Sequence, residues 1–216
     1  MTTAHTCPRC AGALRAPTVW SSDWECDVHG AVAPYRVVPG PHPGAVQYAL
    51  QGRGVPAWIP RPLPVNWLVT GLATAGDERT GARATAVALS GPNPAGGAAD
   101  VVIVAEDPGV GLGARLAGLP GPDPGDLTAR PGPGGHPAGK VRAAHHPTPL
   151  WDLATGTDRD ALCGETRGRW LWMIFWPAAA ALLLEENLLL VDARDEPDMA
   201  HELLYGAPCP HLATLQ

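Results

Sequence analysis

Trp170-Leu-Trp-Met-Ile-Phe-Trp176, closed by Pro177, is the stretch that settles the fold class. Extended backbone sends alternate side chains to opposite faces. Trp170, Trp172, Ile174 and Trp176 then share one face, and Leu171, Met173 and Phe175 the other. Both faces are apolar, so this strand belongs at the centre of a sheet or between layers rather than at a wet edge. Pro177 has no amide hydrogen for a ladder, which suits the strand's end. Asp100–Ala105, with Val-Val-Ile-Val at its centre, reads the same way and is the clearest buried strand.

Further short strands flank these two. Val65–Ala73 and Arg83–Ser90 are separated by a turn through Asp77–Gly81, and a loop follows at Gly91–Gly97. Lys140–His145, Pro147–Trp151 and Asn187–Ala193 read as extended, and Pro197–Leu204 as a short helix. Many strands with few helices predict an α+β fold: a mostly antiparallel β domain preceded by a small zinc-ribbon-like β module. We expect the module at residues 1–38, a Pro/Gly-rich linker or covering segment at 39–64, and the mainly β domain at 65–216. Segment 39–64 holds 11 Gly or Pro in 26 positions, and Pro56, Pro60, Pro62 and Pro64 favour polyproline geometry. Trp58 and Trp67 bracket that run, which predicts docking on the chain's own body or on a partner. Residues 108–139 hold 17 Gly or Pro in 32 positions, and 120–137 reads as a long loop.

Composition narrows the function classes. Of 216 residues, 17% are charged, below the roughly 25% usual in soluble chains. Gly and Pro make up about 24%, just under the roughly 25–30% at which disorder becomes the default. No Gly-X-Y period and no heptads occur, which excludes collagen and coiled coil. The net charge is −6, and the 14 Arg and single Lys are scattered. No run of them neutralises a row of phosphates, so nucleic acid is disfavoured as a partner. The first residues show no basic or apolar signal region. The longest apolar run, Trp170–Leu184, spans 15 residues and contains Pro177, short of the about 20 a membrane helix needs. Five cysteines, three of them near the start, do not read as a disulfide framework. A reduced, cytoplasmic setting is expected, and it favours metal binding for the cluster.

Cys7-Pro-Arg-Cys10 and Cys26-Asp-Val-His29 are separated by 15 residues. The spacing C-x2-C-x15-C-x2-H matches a structural zinc site. Each half is a tight turn whose two side chains converge on one ion and whose amides can bond the thiolates. Gly12 and Gly30 suit such turns. Three thiolates and one imidazole close a tetrahedral Zn²⁺ shell with no position left for water, which supports folding and does no hydrolysis. His5 is a competing fourth ligand that the paired spacing does not favour.

Other constellations are weaker. Val101–Val104 leads into Glu106-Asp-Pro-Gly-Val-Gly-Leu-Gly-Ala-Arg115, which resembles a strand running into a phosphate-binding turn. Glu106, Gly109, Gly111, Gly113 and Arg115 are the candidate ligand-binding residues. The glycines do not meet the dinucleotide spacing, and no Lys-Ser/Thr follows as in a P-loop. Glu106 and Asp107 are also candidates for acid–base work. His145-His146 would point to opposite faces of a strand, and Cys163 has no evident partner in sequence.

Several strings resemble a family of actinobacterial proteins of unknown function: Cys7–Cys10, Trp24–Gly30, Arg61–Gly71, Gly109–Arg115, Pro147–Trp151, and Trp170–Trp172 with Trp176-Pro177. The resemblance implies a cytosolic protein with a zinc-ribbon-like start and implies no activity. Ala178–Ala181 departs from it, since a polar turn is expected there. Three functions are therefore carried forward. The first is a zinc-stabilised, non-catalytic module that binds a protein partner. The second is a small-molecule binder or enzyme at 106–115 closed by the 120–137 loop. The third is nucleic-acid binding through the ribbon, which requires Arg9, Arg15 and Arg36 to share a face.

Overall fold

The computed structural model describes residues 5–127, 136–196 and 198–213. The chain begins with β1 (Trp24–Cys26), β2 (Gly30–Val32), β3 (Tyr35–Val37) and helix α1 (Pro43–Leu50). It continues through β4 (Trp58–Pro60), β5 (Leu68–Asp77), β6 (Gly81–Pro92), β7 (Ala98–Glu106) and helix α2 (Leu112–Ala117). The last part holds β8 (Gly139–Ala143), β9 (His146–Leu153), β10 (Asp160–Thr166), β11 (Arg169–Trp176), a 3-10 helix (Ala178–Glu186), β12 (Leu189–Asp192) and helix α3 (Met199–Glu202). A 3-10 turn at Pro210–Leu212 follows. β1 and β2 pair as a small two-stranded sheet. The other ten strands form one sheet in the order β3-β5-β6-β7-β11-β10-β9-β8-β12-β4. Its pairings are antiparallel except β12 with β8.

The tryptophan-rich stretch is the central strand β11, held between β7 and β10. Leu171, Met173 and Phe175 enter one core with Val101 and Ile103. Trp172, Ile174 and Trp176 enter the other with Val102 and Val104. The first core is enclosed because the sheet curls. β9 pairs with β8 along its first part and with β10 along its last part, so the sheet turns there. β4 then comes to lie against β6 and β7, tied by Val55 N–H to Ala82 O at 2.9 Å and Ala82 N–H to Arg53 O at 2.8 Å. The tie needs Gly54, at φ +133°, because a Cβ there would lie 1.9 Å from Ala82 O. The second face has an alanine floor on β5 and β6 (Ala73, Ala75, Ala84, Ala86, Ala88). Small side chains let Tyr35, α2 and Leu212 pack closely over it.

Segment 39–64, expected as a linker or covering segment, holds two regular elements, α1 and β4. His42 caps α1 by accepting from Ala45 N–H at 3.3 Å, and Pro43 sits at the start of the helix, where its missing donor costs nothing. The prolines after it flank β4, which pairs with β12. Asp192 secures that pairing. Its carboxylate accepts from Ala57 N–H at 3.0 Å and binds the Arg194 guanidinium. Trp58 and Trp67 are 1% and 3% exposed, so both dock on the chain's own body. β3 lies within the stretch expected as the module, yet it is the edge strand of the large sheet, with Arg36 opposite Thr74.

Lys140–His145 and Pro147–Trp151 form one hairpin. Ala144 and His145 make its two-residue turn, with φ +47° and +68°, and both histidines are exposed. The departure at Ala178–Ala181 opens the 3-10 helix. Pro197 and residues 128–135 of the long loop lie outside the described residues. Among the described residues, no helix is long and apolar enough to cross a membrane.

Candidate metal centre

Two tight turns build the cluster. In the first, Ala11 N–H donates to Cys7 O at 2.9 Å and Cys7 N–H to Gly12 O at 2.8 Å. The amides of Arg9 and Cys10 donate to the Cys7 sulfur. The left-handed residue is Ala11, at φ +59°. A Cβ at Gly12 would sit 3.3 Å from Cys10 Sγ. In the second, Cys26 ends β1 and Gly30, at φ +67°, starts β2. The amides of Val28 and His29 donate to the Cys26 sulfur. Amide donors favour the thiolate over the thiol.

The four ligand atoms of Cys7, Cys10, Cys26 and His29 all lie within 4.8 Å of one another. Cys7 Sγ to His29 Nδ1 is 3.5 Å, Cys26 Sγ to His29 Nδ1 is 3.7 Å, and Cys10 Sγ to Cys26 Sγ is 3.7 Å. With metal–sulfur bonds of about 2.3 Å and metal–nitrogen bonds of about 2.0 Å, tetrahedral ligand atoms sit about 3.5–3.8 Å apart. The cluster therefore fits one small tetrahedral ion. Burial opposes ionisation of Cys26, yet the Val28 and His29 amides and the His29 ring bring its thiol down to about 6. Burial pushes the Cys7 thiol up to about 11. A cation relieves that cost directly. His5 instead packs on Trp24, with ring centroids 4.5 Å apart.

The cluster rests on the glycine-rich turn. Arg9, between the first two cysteines, donates to the carbonyls of Gly109 and Val110. Arg115, on α2, returns a bond to Pro8 O at 2.7 Å and lies 5.0 Å over the Tyr35 ring. Tyr35 in turn donates to Leu212 O at 2.8 Å. The turn's own amides are also taken. Asp123 accepts from Gly109 N–H and Trp170 Nε1, each at 2.8 Å. Glu106 is fully buried and accepts from Leu112 N–H at 2.8 Å and Gly113 N–H at 3.2 Å. Burial pushes the Glu106 carboxyl up to about 8, against the pull of those two amides. A Cβ at Gly113 would lie 2.4 Å from the Trp172 indole, and one at Gly111 would lie 2.9 Å from Arg9 Cγ.

Thus the structure brings the four metal-ligating candidates together and sets Gly109, Gly111 and Arg115 of the 106–115 group against the first turn, while Glu106 and Gly113 bond within the turn itself. Asp107 is ion-paired with Arg83 and Arg169. Cys163 is buried, and burial raises its thiol well above the usual range. Arg15 pairs with Glu25 and Asp27, and Arg36 bonds Thr74 Oγ1 at 3.3 Å. Tyr35 and Asp123 were not visible as site residues in the sequence, and Arg9 was singled out only as a nucleic-acid contact. The position of Arg9 between two ligands was the one available signal, and its partners lie about a hundred residues away.

The sequence model of one protein family matches residues 1–212. The chain belongs to that family. It is DUF6758, described as a family of unknown function. No curated protein and no solved structure matches the chain.

Proposed function

We propose that this chain is a zinc-stabilised, non-catalytic module that binds a protein partner. Zinc is supported by the donor set, since three thiolates with one imidazole and tetrahedral spacing suit it and leave no open coordination position. The two knuckles with the β1–β2 hairpin make the zinc-ribbon-like element. The Ala-, Gly-, Pro- and Arg-rich composition supports an actinobacterial source, and the free cysteines a cytoplasmic one.

The observation that carries the reading is where apolar side chains meet solvent. Trp20 is 94% exposed, Val19 92% and Val28 77%. All three belong to the stretch that the cluster organises. Tryptophan is enriched among the residues that carry binding energy at protein interfaces. The partner reading thus moves from Trp58 and Trp67, which are buried, to Trp20. A ligand at 106–115 has less support, because Glu106 and Asp123 already take its amides. Nucleic acid has less support too, since Arg9, Arg15 and Arg36 are each engaged within the chain.

The test uses wild type, Cys26→Ser and Trp20→Ser as purified full chains. We expect about one zinc per chain by elemental analysis in wild type and Trp20→Ser, and none in Cys26→Ser. Used as baits in native extract, wild type should retain a protein that Trp20→Ser loses. A partner held equally by both, or protein purified without chelator that holds no zinc, contradicts the proposal.

A further inference from the structure

A groove of about 840 Å³ lies between β8–β10 and the 3-10 helix that follows β11. Small-molecule sites occupy about 300–1,000 Å³. None of the residues lining it belongs to the metal cluster or to the turn at 106–115. Leu162, Leu182, Leu184, Ala178 and Ala181 give it an apolar wall. The outer side of a short surface helix is ordinarily polar. Here Leu182 is 46% exposed, and the alanines leave room above the strands. The apolar run that breaks the expected polar turn therefore lines a groove.

The same groove holds a local electrostatic conflict. Asp152 on β9 stands opposite Leu162 on β10, so Asp160, two residues from Leu162, is its diagonal neighbour on the same face. Burial raises the Asp160 carboxyl above its ordinary value, and the charge of Asp152 within hydrogen-bonding distance raises it further. Like charges across strands destabilise a sheet. Among the described residues, neither aspartate has a salt bridge. Glu185 adds a third acid to the lining, and Lys140 is its one base. The groove thus joins an apolar wall to a lining with more acids than bases. Perturbed carboxylates lining a cleft mark a candidate ligand site.

We propose that this groove binds a small amphipathic amine, with the ammonium between Asp152 and Asp160 and the apolar body against Leu162, Leu182 and Leu184. The cation supplies the missing counter-charge and donates to both carboxylates. The leucines supply area removed from water. A carboxylate ligand would meet repulsion, and a neutral one would leave the acid pair unrelieved.

Calorimetric titration of the full chain with phenylbutylamine tests this, with phenylbutanol and phenylbutyrate as neutral and anionic matches. We expect saturable binding of one amine, about tenfold tighter than either match, the scale of one charge-assisted hydrogen bond. Asp160→Asn and Asp152→Asn should each remove that preference without lowering the thermal midpoint. Leu184→Ser should weaken amine and alcohol alike. Equal binding of amine and alcohol overturns the proposal, as does amine affinity unchanged in both Asn variants. Absence of amine binding at millimolar concentration also overturns it. So does a dimer in sedimentation that Leu182→Ser dissolves, since a second copy would then cover the groove.

Discussion

The turn at 106–115 and the groove beside β10 both lie where strands leave the large sheet, and they treat their polar groups in opposite ways. In the turn, Glu106 and Asp123 accept from three amides, Arg9 binds two carbonyls, and Arg115 binds back to Pro8. In the groove, two carboxylates face each other beside an apolar wall. Glycines in the first place mark close packing, because a Cβ at Gly113 or Gly111 would collide with Trp172 or Arg9. An unrelieved cost in the second marks room for something else. Glycine richness at a strand exit is therefore weak evidence for a ligand where the fold's own carboxylates already accept from the turn's amides.

The contrast is sharpest for Glu106→Ala. It leaves the Leu112 and Gly113 amides without their acceptor, and we expect a loss of about 2–4 kcal/mol in denaturant unfolding. The loss is read near pH 4.5, because at neutral pH the cost of protonating this carboxyl on folding offsets part of it. A loss within about 0.5 kcal/mol would mean the turn is not built around this side chain. Gly113→Ala should cost about 1–3 kcal/mol by overpacking Trp172, read from the same unfolding curves. A neutral outcome would return the glycine to a ligand-binding role.

The Glu106 carboxyl also predicts a pH dependence. Its folded value is raised from 4.5 to about 8. Its contribution is thus fully present below 4.5 and is lost as pH rises toward 8. Asp123 adds to the upward shift, and the Leu112 and Gly113 amides oppose it. His5 and His211 have values lowered from the ordinary imidazole value mainly by burial, and they add a pH dependence of their own. The difference between wild type and Glu106→Gln isolates the glutamate. That difference should shrink steadily from pH 4.5 to 8, and a flat difference would contradict the account. The smallest effect belongs to the groove. Asp160→Asn should stabilise by under about 1 kcal/mol, the scale of a relieved like-charge pair. Destabilisation would show that the pair is satisfied in the free protein.

How much was legible depended on the range of the interaction. β11 and β7 were readable because both faces of each are apolar over a few consecutive residues. The convergence of Cys7, Cys10, Cys26 and His29 was readable because each half is a local turn with fixed spacing. The hairpin at Ala144-His145 was not, since its turn has two positive φ values without the usual Asn-Gly. α1 was hidden by counting, because its prolines and glycines sit at its start and just beyond its end. Arg9 with Gly109, and Asp152 with Asp160, meet only through the tertiary fold and strand register. No spacing rule reaches them.

The central claim is that the metal cluster and the turn at 106–115 are one mechanical unit, joined by Arg9 and Arg115. Amide hydrogen exchange of the full chain, before and after chelation of the metal, tests it most directly. We predict that protection of residues 108–115 falls together with that of residues 5–37 while β11 keeps its own. If residues 108–115 keep full protection after the metal is removed, the turn stands without the cluster, and the claim is wrong.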